Sequence, residues 1–588
     1  MSKATVICFC ALFILASTTG LIAGEIKKVS IEEAQLMERL PVEKAPVASL
    51  YKTIPYKGED ASDSPGTIVG KTFYDYQTNG STGRRIARHD CGVHVCWMNG
   101  IRDHTGERLI YYNFIEEDTP FWGEDGTPVS SGVRDGYTTM HVDRDGGGAI
   151  VAYHDANAQE AKVAIDASCG LGLFTIYTPP NQWPGRTPFI WPSVVQDYGG
   201  RIHVAATEGE SGGDAAKMMG HTFSDDGGNS WSDFEAFIEQ WEFSVIVVAS
   251  PVDDKVAIIF PQPIDFNPAE PNQFNNDIAY IESEDGETWD YEDIVNVTNY
   301  QYDDTIRAYC DVSGCYDYDG NLHLLWNTPG YWALDGTITV DACFLWHWSE
   351  ATGINMVWDA WHPSFPGAWN RSASKMNISC ASNNVLCALW THFDDIDVSS
   401  GGFSNGELYV SFSTDGGVTW DDPVNVTNSP TPGCLPGDCD SDHWSSMAPI
   451  VDENLYISFI EDKDAGGIPQ DEGAATQNAV RYFTIANPYA PTSVDDNTSA
   501  PLQFELVQNY PNPFNASTNI QYSLDKSARV ELKVYNLLGQ EVATLVNKKQ
   551  DSGEHTVSWN ASDCTSGIYF YKLITGDYTE TRRMALIK

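Results

Sequence analysis

Seven short apolar segments recur along the middle of the chain, at 93–97, 149–153, 202–206, 256–260, 322–326, 386–390 and 455–459, each after a turn rich in Asp, Asn or Gly. Their first residues lie 53 to 69 positions apart. That period is the length of one four-stranded antiparallel blade with its loops, and uninterrupted apolarity suits a strand covered on both faces. The chain is therefore expected to be all-β, with residues 66–488 forming a β-propeller of seven blades. Residues 67–74 belong to no repeat, so they are expected to supply the closing outer strand of the last blade, which removes exposed edges. His94, His203 and His323 share one register position; on separate blades they cannot meet, so they read as packed histidines rather than as ligands.

A second repeat overlies the first. Ser224, Asp226, Gly228 and Trp231, then Ser283, Asp285 and Trp289, then Ser413, Asp415, Gly417 and Trp420 outline three copies of one turn, the middle copy a residue shorter. In such a turn an Asp carboxylate accepts backbone N–H groups, Gly supplies positive φ, and Trp covers apolar surface beside the next strand. The pattern Ser-x-Asp-x-Gly-x-Thr-Trp resembles the Asp-box (BNR repeat) of sialidase-like β-propellers, where it braces a hairpin and does no chemistry. Sialidase domains of that kind usually have six blades, which makes six the alternative count.

The ends of the chain carry its address. Lys3 precedes an apolar run at 4–16 and a small, polar stretch at 17–24, the pattern of a cleaved signal peptide over residues 1–24. The run is shorter than the roughly 20 apolar residues of a spanning helix, and no later run reaches that length, so no transmembrane segment is expected in the mature chain. Residues 25–65 form a lead-in in which Ser30 and Glu33 make a capping box for a short helix that Pro41 ends. Residues 489–502 are polar and Pro-rich, a linker. In 503–588, apolar alternation at Ile520, at Val530, Leu532 and Val534, at Val557 and Trp559, and at Ile568 and Phe570 describes an Ig-like β-sandwich. Three blocks there, 508–515 (including Asn509, Pro511, Asn512, Pro513 and Phe514), 534–539 and 566–573, resemble in order the type A sorting domain of type IX secretion. The resemblance implies passage through the Sec export machinery, recognition by the type IX outer-membrane translocon, removal by its sorting peptidase, and a product released or held at the cell surface.

Charge narrows the partners. A formal charge of −48, from 34 basic and 82 acidic residues, disfavours nucleic acid and anionic lipid, which the chain would repel on encounter. Of the 13 cysteines, Cys8 and Cys10 leave with the signal peptide, so an odd number remains. The close pairs Cys91/Cys96, Cys310/Cys315 and Cys434/Cys439 are candidates for disulfides in an oxidising compartment, and none has the spacing of a zinc site.

Two classes of function fit. The sialidase resemblance implies three arginines around a sugar carboxylate, because guanidinium forks pair with carboxylates in charge-assisted hydrogen bonds. Arg85 stands in an Arg-Ile-Ala context similar to the family's Arg-Ile-Pro motif, with Ala87 in place of Pro; Arg307 and Arg371 each lie 15 residues before their repeat strands. Asp103 follows the first repeat strand, where that family keeps its acid/base. The family's Tyr nucleophile has no counterpart in the stretch 443–446. The other class is binding: Tyr137, Trp191, Trp361 and Trp444 fall at predicted strand starts or loops, where aromatic faces stack on sugar rings while polar neighbours meet hydroxyls. Binding of glycan or another surface polymer is the leading reading, and an exo-glycosidase of sialidase type is the alternative. Neither requires a cofactor or a metal; the acidic loop 462–467, with Asp462 and Asp464, is a candidate for bound calcium but lacks the full ordered ligand set of a known calcium loop.

Overall fold

The computed structural model describes residues 26–38, residues 64–490 apart from 79–82, 103–105, 210–216, 241–243 and 265–273, and most of 505–586. The expected signal peptide, most of the linker and Asp103 lie outside the described residues. The chain divides into two compact units, Met1–Pro491 and Thr492–Lys588.

Among the described residues, the first unit holds seven antiparallel sheets built in succession along the chain. Their first strands are Ile86–His89, Asp135–Val142, Phe189–Gln196, Ile246–Ala249, Val312–Tyr316, Ala373–Cys380 and Ser441–Met447. Their second strands are Gly92–Gly100, Ala149–Asp155, Ile202–Glu208, Val256–Pro263, Leu322–Trp332, Leu386–His392 and Asn454–Asp462, and every recurrent apolar segment falls on one of them. Ile202–Glu208 and Leu386–His392 are buried at every position, because each lies between two strands of its own sheet and under a neighbouring sheet.

The first strands touch in series, and Ser441–Met447 touches Ile86–His89, which closes a propeller-like ring. Small hydroxyls bridge the strands where neighbouring sheets diverge: Ser193 Oγ accepts from Val247 N at 3.1 Å, Ser313 Oγ from Ile378 N at 3.2 Å, and Ser446 Oγ from Arg85 N at 2.9 Å. These contacts satisfy backbone donors that would otherwise be buried unpaired. Thr67–Thr72 pairs with Asn478–Ala486 as the outer strand of the seventh sheet, so that sheet is assembled from both ends of the unit. A channel of about 400 Å³ runs between the first strands. Arg84 crosses it, donating to Met447 O at 2.7 Å, Ser379 Oγ at 2.9 Å and Ile378 O at 2.5 Å.

The three Ser-x-Asp turns join third to fourth strands in the third, fourth and sixth sheets. Asp226 accepts from Ser230 N at 2.7 Å and Asp415 from Thr419 N at 2.9 Å, while the shorter copy uses Asp285 and Thr288 N at 2.6 Å. Each Trp then donates its indole N–H to a turn glycine carbonyl, as Trp231 does to Gly228 O at 3.0 Å. His94, His203 and His323 are all buried.

Of the three candidate cysteine pairs, Cys434/Cys439 is joined and the other two are not. Cys91 is bonded to Cys169 and Cys434 to Cys439, while Cys96, Cys310 and Cys315 are buried free thiols. Five residues of extended chain span roughly 16 Å, so Cys96 and Cys315, each on a strand, cannot reach a partner five positions back. Cys434 and Cys439 succeed because the loop folds back through the bonds Cys434 N to Thr431 O and Asp438 N to Leu435 O.

The second unit has a three-stranded sheet (Glu505–Leu506, Ser517–Leu524, Gly553–Asn560) and a four-stranded sheet (Glu541–Gln550, Ala528–Asn536, Gly567–Ile574, Thr579–Leu586). Ile520, Val530, Leu532, Val534 and Trp559 share its core. In Gly567–Ile574 the buried face is Tyr569, Tyr571 and Leu573, so Ile568 and Phe570 occupy the other face.

Candidate binding site

The end of the ring where the first strands begin is irregular in a repeated way. Strand register shifts between Gly136 and Thr139, between Ser374 and Asn377, and between His443 and Ser446. Within these bulges Tyr137, Lys375 and Trp444 adopt φ of 44°, 53° and 55°. A non-glycine residue held there costs of order 1–3 kcal/mol, and bulges of this kind re-aim side chains beside functional sites. A fourth shift, between Phe189 and Trp191, sits at the same place in the third sheet.

The re-aimed side chains meet aromatic and charged neighbours. Tyr137 OH lies 3.4 Å from Tyr74 OH, the Tyr137 ring packs 5.4 Å from His154, and His154 packs 6.4 Å from Trp191. Trp444 packs 5.1 Å from Tyr76, with the Lys375 ammonium 4.7 Å from its ring. Lys375 Nζ is also held by Asp311 Oδ1 at 3.0 Å and Trp369 O at 2.8 Å. Tyr137 and Trp191 are half-buried, whereas Trp444 is buried beneath the rim. Trp361 stands apart from this group, stacked 4.9 Å from Phe344 and edge-on to Trp332.

Each of the three arginines has its own partners. Arg85 donates to Trp444 O, to Ser445 O and to Gly83 O, and burial lowers its pKa to about 10. Arg307 holds the loop before it, donating to Asn275 Oδ1 at 3.0 Å, Ile306 O at 2.8 Å and Gln301 O at 2.6 Å. Arg371 donates from Nη1 to Glu38 Oε1 at 2.8 Å and to Asn370 O at 2.6 Å. Among the described residues no two of these guanidinium groups share an acceptor.

The first unit also holds carboxyls that are buried, Asp75 and Asp464, or half-buried, Glu472. Burial, with the charge of Asp462 added, pushes Asp75 up to about 8; burial also pushes Glu472 to about 7 and Asp464 to about 6. In the acidic loop 462–467, Lys463 inserts its own ammonium between Asp440, at 2.6 Å, and Glu461. Among the described residues one group, His89, Cys91 and Cys169, has metal-binding spacing, and its two cysteines are joined as a disulfide, which removes the thiolates. Sequence reasoning missed Glu38, Tyr309, Lys375 and Asp311. Lys375 carries a signal in hindsight, four residues past Arg371 at the start of a first strand; Glu38 carries none, since its partner is 333 positions away.

Among the described residues no helix is long and apolar enough to cross a membrane. No curated protein matches the chain. Among solved structures, a PL25 ulvan lyase bound to -[GlcA(1-4)Rha3S]- is 11% identical over 72% of this chain and 96% of its own, with a TM-score of 0.46. An α-L-arabinanase of Penicillium chrysogenum complexed with arabinobiose is 8% identical over 59% and 92%, with a TM-score of 0.37. A protein of unknown function from Dyadobacter fermentans is 12% identical over 73% and 100%, with a TM-score of 0.35. Residues 508–588, which carry the three sequence blocks, match the family model described as a secretion system C-terminal sorting domain.

Proposed function

We propose that the protein is an exported seven-bladed β-propeller of the Asp-box type that binds glycan or another surface polymer at the rim where its first strands begin. Its C-terminal Ig-like sandwich directs it through type IX secretion to the cell surface or the medium. The observation that carries the binding role is the repeated bulge: backbone strain at Tyr137, Lys375 and Trp444 is stored where aromatic rings and charged groups gather. Half-buried Tyr137 and Trp191 offer ring faces of the kind that stack on sugars, and the sorting match supports an address where polymers are met. A sialidase-type reaction would require Arg85, Arg307 and Arg371 to converge, and the donors of the first two are already taken by backbone carbonyls and Asn275.

The test is binding of the exported protein to a panel of labelled polysaccharides, alongside Trp191→Ala. The reading expects at least one polymer to be retained and Trp191→Ala to weaken it about tenfold, equivalent to about 1.4 kcal/mol. Retention of no polymer, or equal retention by the variant, would sink it.

A further inference from the structure

The channel has a second end. The last residues of six of the seven first strands, His89, Val142, Gln196, Ala249, Tyr316 and Cys380, line its cavity of about 400 Å³, which therefore lies where those strands finish and not at the rim where they begin. Three guanidinium groups line it, those of Arg84, Arg88 and Arg144, against one carboxylate, Asp90. In a chain with 34 basic and 82 acidic residues the balance is locally reversed.

Asp90 lies 3.4 Å from Arg88 Nη1, which leaves two of the cations without a counter-charge. Arg84 donates only to neutral acceptors, from Nη1 to Ser379 Oγ and Met447 O and from Nη2 to Ile378 O and Gly314 O, and burial lowers its pKa to about 10. Arg144, which is exposed, donates from Nη2 to Pro251 O at 3.3 Å and stacks 4.2 Å from the centroid of the Tyr198 ring. Neither makes an ion pair among the described residues. Burial, with the charges of Arg84 and Arg144 added, pushes His141 on the cavity wall down to about 4, so both guanidinium groups act on one place. Neutral donors line the same wall. Ser193 Oγ and Ser313 Oγ each accept a backbone N–H and keep their own hydroxyl proton, which meets no acceptor among the described residues. Carbonyl acceptors account for Arg84 as a bolt across the ring, but they supply no opposite charge, and a cation taken out of water without one is costly.

We propose that this end of the channel is a second binding site, for a divalent tetrahedral oxyanion of the sulfate or phosphate class, held between Arg84 and Arg144. Two unpaired guanidinium groups balance its two charges, and N–H bonds from guanidinium to such oxygens are charge-assisted and strong. The same chemistry is offered by the free ion and by the ester group of a sugar, and the volume falls in the range of about 300–1,000 Å³ that suits small ligands of either kind. The site is separate from the rim, and it stands or falls independently of the glycan reading.

The experiment is calorimetric titration of the full chain, at fixed ionic strength and millimolar ligand, with sulfate, phosphate, their D-glucose 6-esters and D-glucose itself. The native chain is expected to bind one equivalent of an oxyanion and to ignore glucose, with Arg144→Gln at least about tenfold weaker and Trp191→Ala unchanged. Arg84→Gln is held to the same loss when it folds; where it does not, Arg144→Gln decides, since Arg144 is exposed at the mouth. Tighter binding of the free ion or of the ester identifies the source, and either result upholds the site. No binding of any oxyanion, or equal binding by Arg144→Gln, overturns the proposal. So does an equal loss in Arg529→Gln, an exposed arginine of the second unit, because net charge alone would then explain the effect.

Discussion

Gly417 has φ of +88°, and a Cβ built on it would lie 2.0 Å from His347 Cε1. Two separate effects therefore oppose any side chain there: the left-handed backbone, about 1–2 kcal/mol for an alanine, and a ring that is itself buried and cannot retreat. Gly433 isolates the first effect, with φ of +75° and nothing within 4 Å of its Cβ position. Gly417→Ala is expected to cost at least about 3 kcal/mol, near the upper end for single substitutions, and Gly433→Ala about half that or less; near-UV circular dichroism melts of the two variants check the ranking, and equal losses would show that the ring contact carries no weight. The Asp turns were legible in the sequence for a local reason: Asp226, Asp285 and Asp415 each find their partners within four positions. The arginines were not legible, because what each guanidinium meets is decided by segments brought from elsewhere in the chain, such as Trp444 for Arg85 and Glu38 for Arg371.

In the third and fifth sheets a histidine of the second strand meets one of the third. His203 Nδ1 lies 3.2 Å from His221 Nε2, and His323 Nδ1 lies 2.9 Å from His347 Nε2, while Asp197 and Asp317 hold the outer nitrogens of His203 and His323. Burial lowers His347 to about 3. An unfolded histidine takes up its proton near pH 6.5, so the folded state refuses a proton that the unfolded chain accepts. The stabilisation is complete above pH 6.5 and is lost as pH falls towards about 3; between 6.5 and 4.5 the loss is about 2–3 kcal/mol. Asp75 and Glu472 act with the opposite sign, since their raised pKa values favour the folded state below pH 4 and lose that contribution as pH rises through 7 to 8. The readout is therefore a difference: thermal melts between pH 6.5 and 4.5 should fall less steeply for His347→Gln than for the native chain, whatever constant loss the substitution brings. Parallel slopes would rule out a neutral, proton-refusing His347. At this scale the sequence spoke clearly where a strand is apolar at every position, as at 386–390. It misled at 568–573, because Ile568, Tyr569, Phe570 and Tyr571 are apolar on both faces, and the side that turns inward is set by phenol hydrogen bonds, Tyr571 OH to Val507 O and Tyr569 OH to Thr565 O.

A ring of sheets has one seam, and here Thr67–Thr72 closes it. The strand pairs with Asn478–Ala486 on one side, while Trp97 Nε1 donates to Lys71 O at 3.1 Å and Asn113 Nδ2 to Val69 O at 2.8 Å from the first sheet on the other. Arg481 adds a bond to Gly66 O at 2.9 Å. Closure was legible as a remainder, since the segment at 67–74 was left without a repeat, but its contact with the first sheet was not, because Trp97 reads like any other buried strand residue. Two mechanisms can hold such a ring: the seam, or the serial contacts of the first strands with Arg84 bound across the channel. Val69→Asp separates them. Val69 is fully buried, and an unpaired carboxylate there costs several kcal/mol unless the strand leaves the sheet. If the seam holds the ring, the calorimetric transition of the first unit should fall by about 3 kcal/mol or more, with the transition of the second unit unmoved as an internal control. If the strand is expelled and the first unit melts where it did before, the first strands and Arg84 hold the ring by themselves, and the closing strand serves to cover an edge that would otherwise pair with other chains.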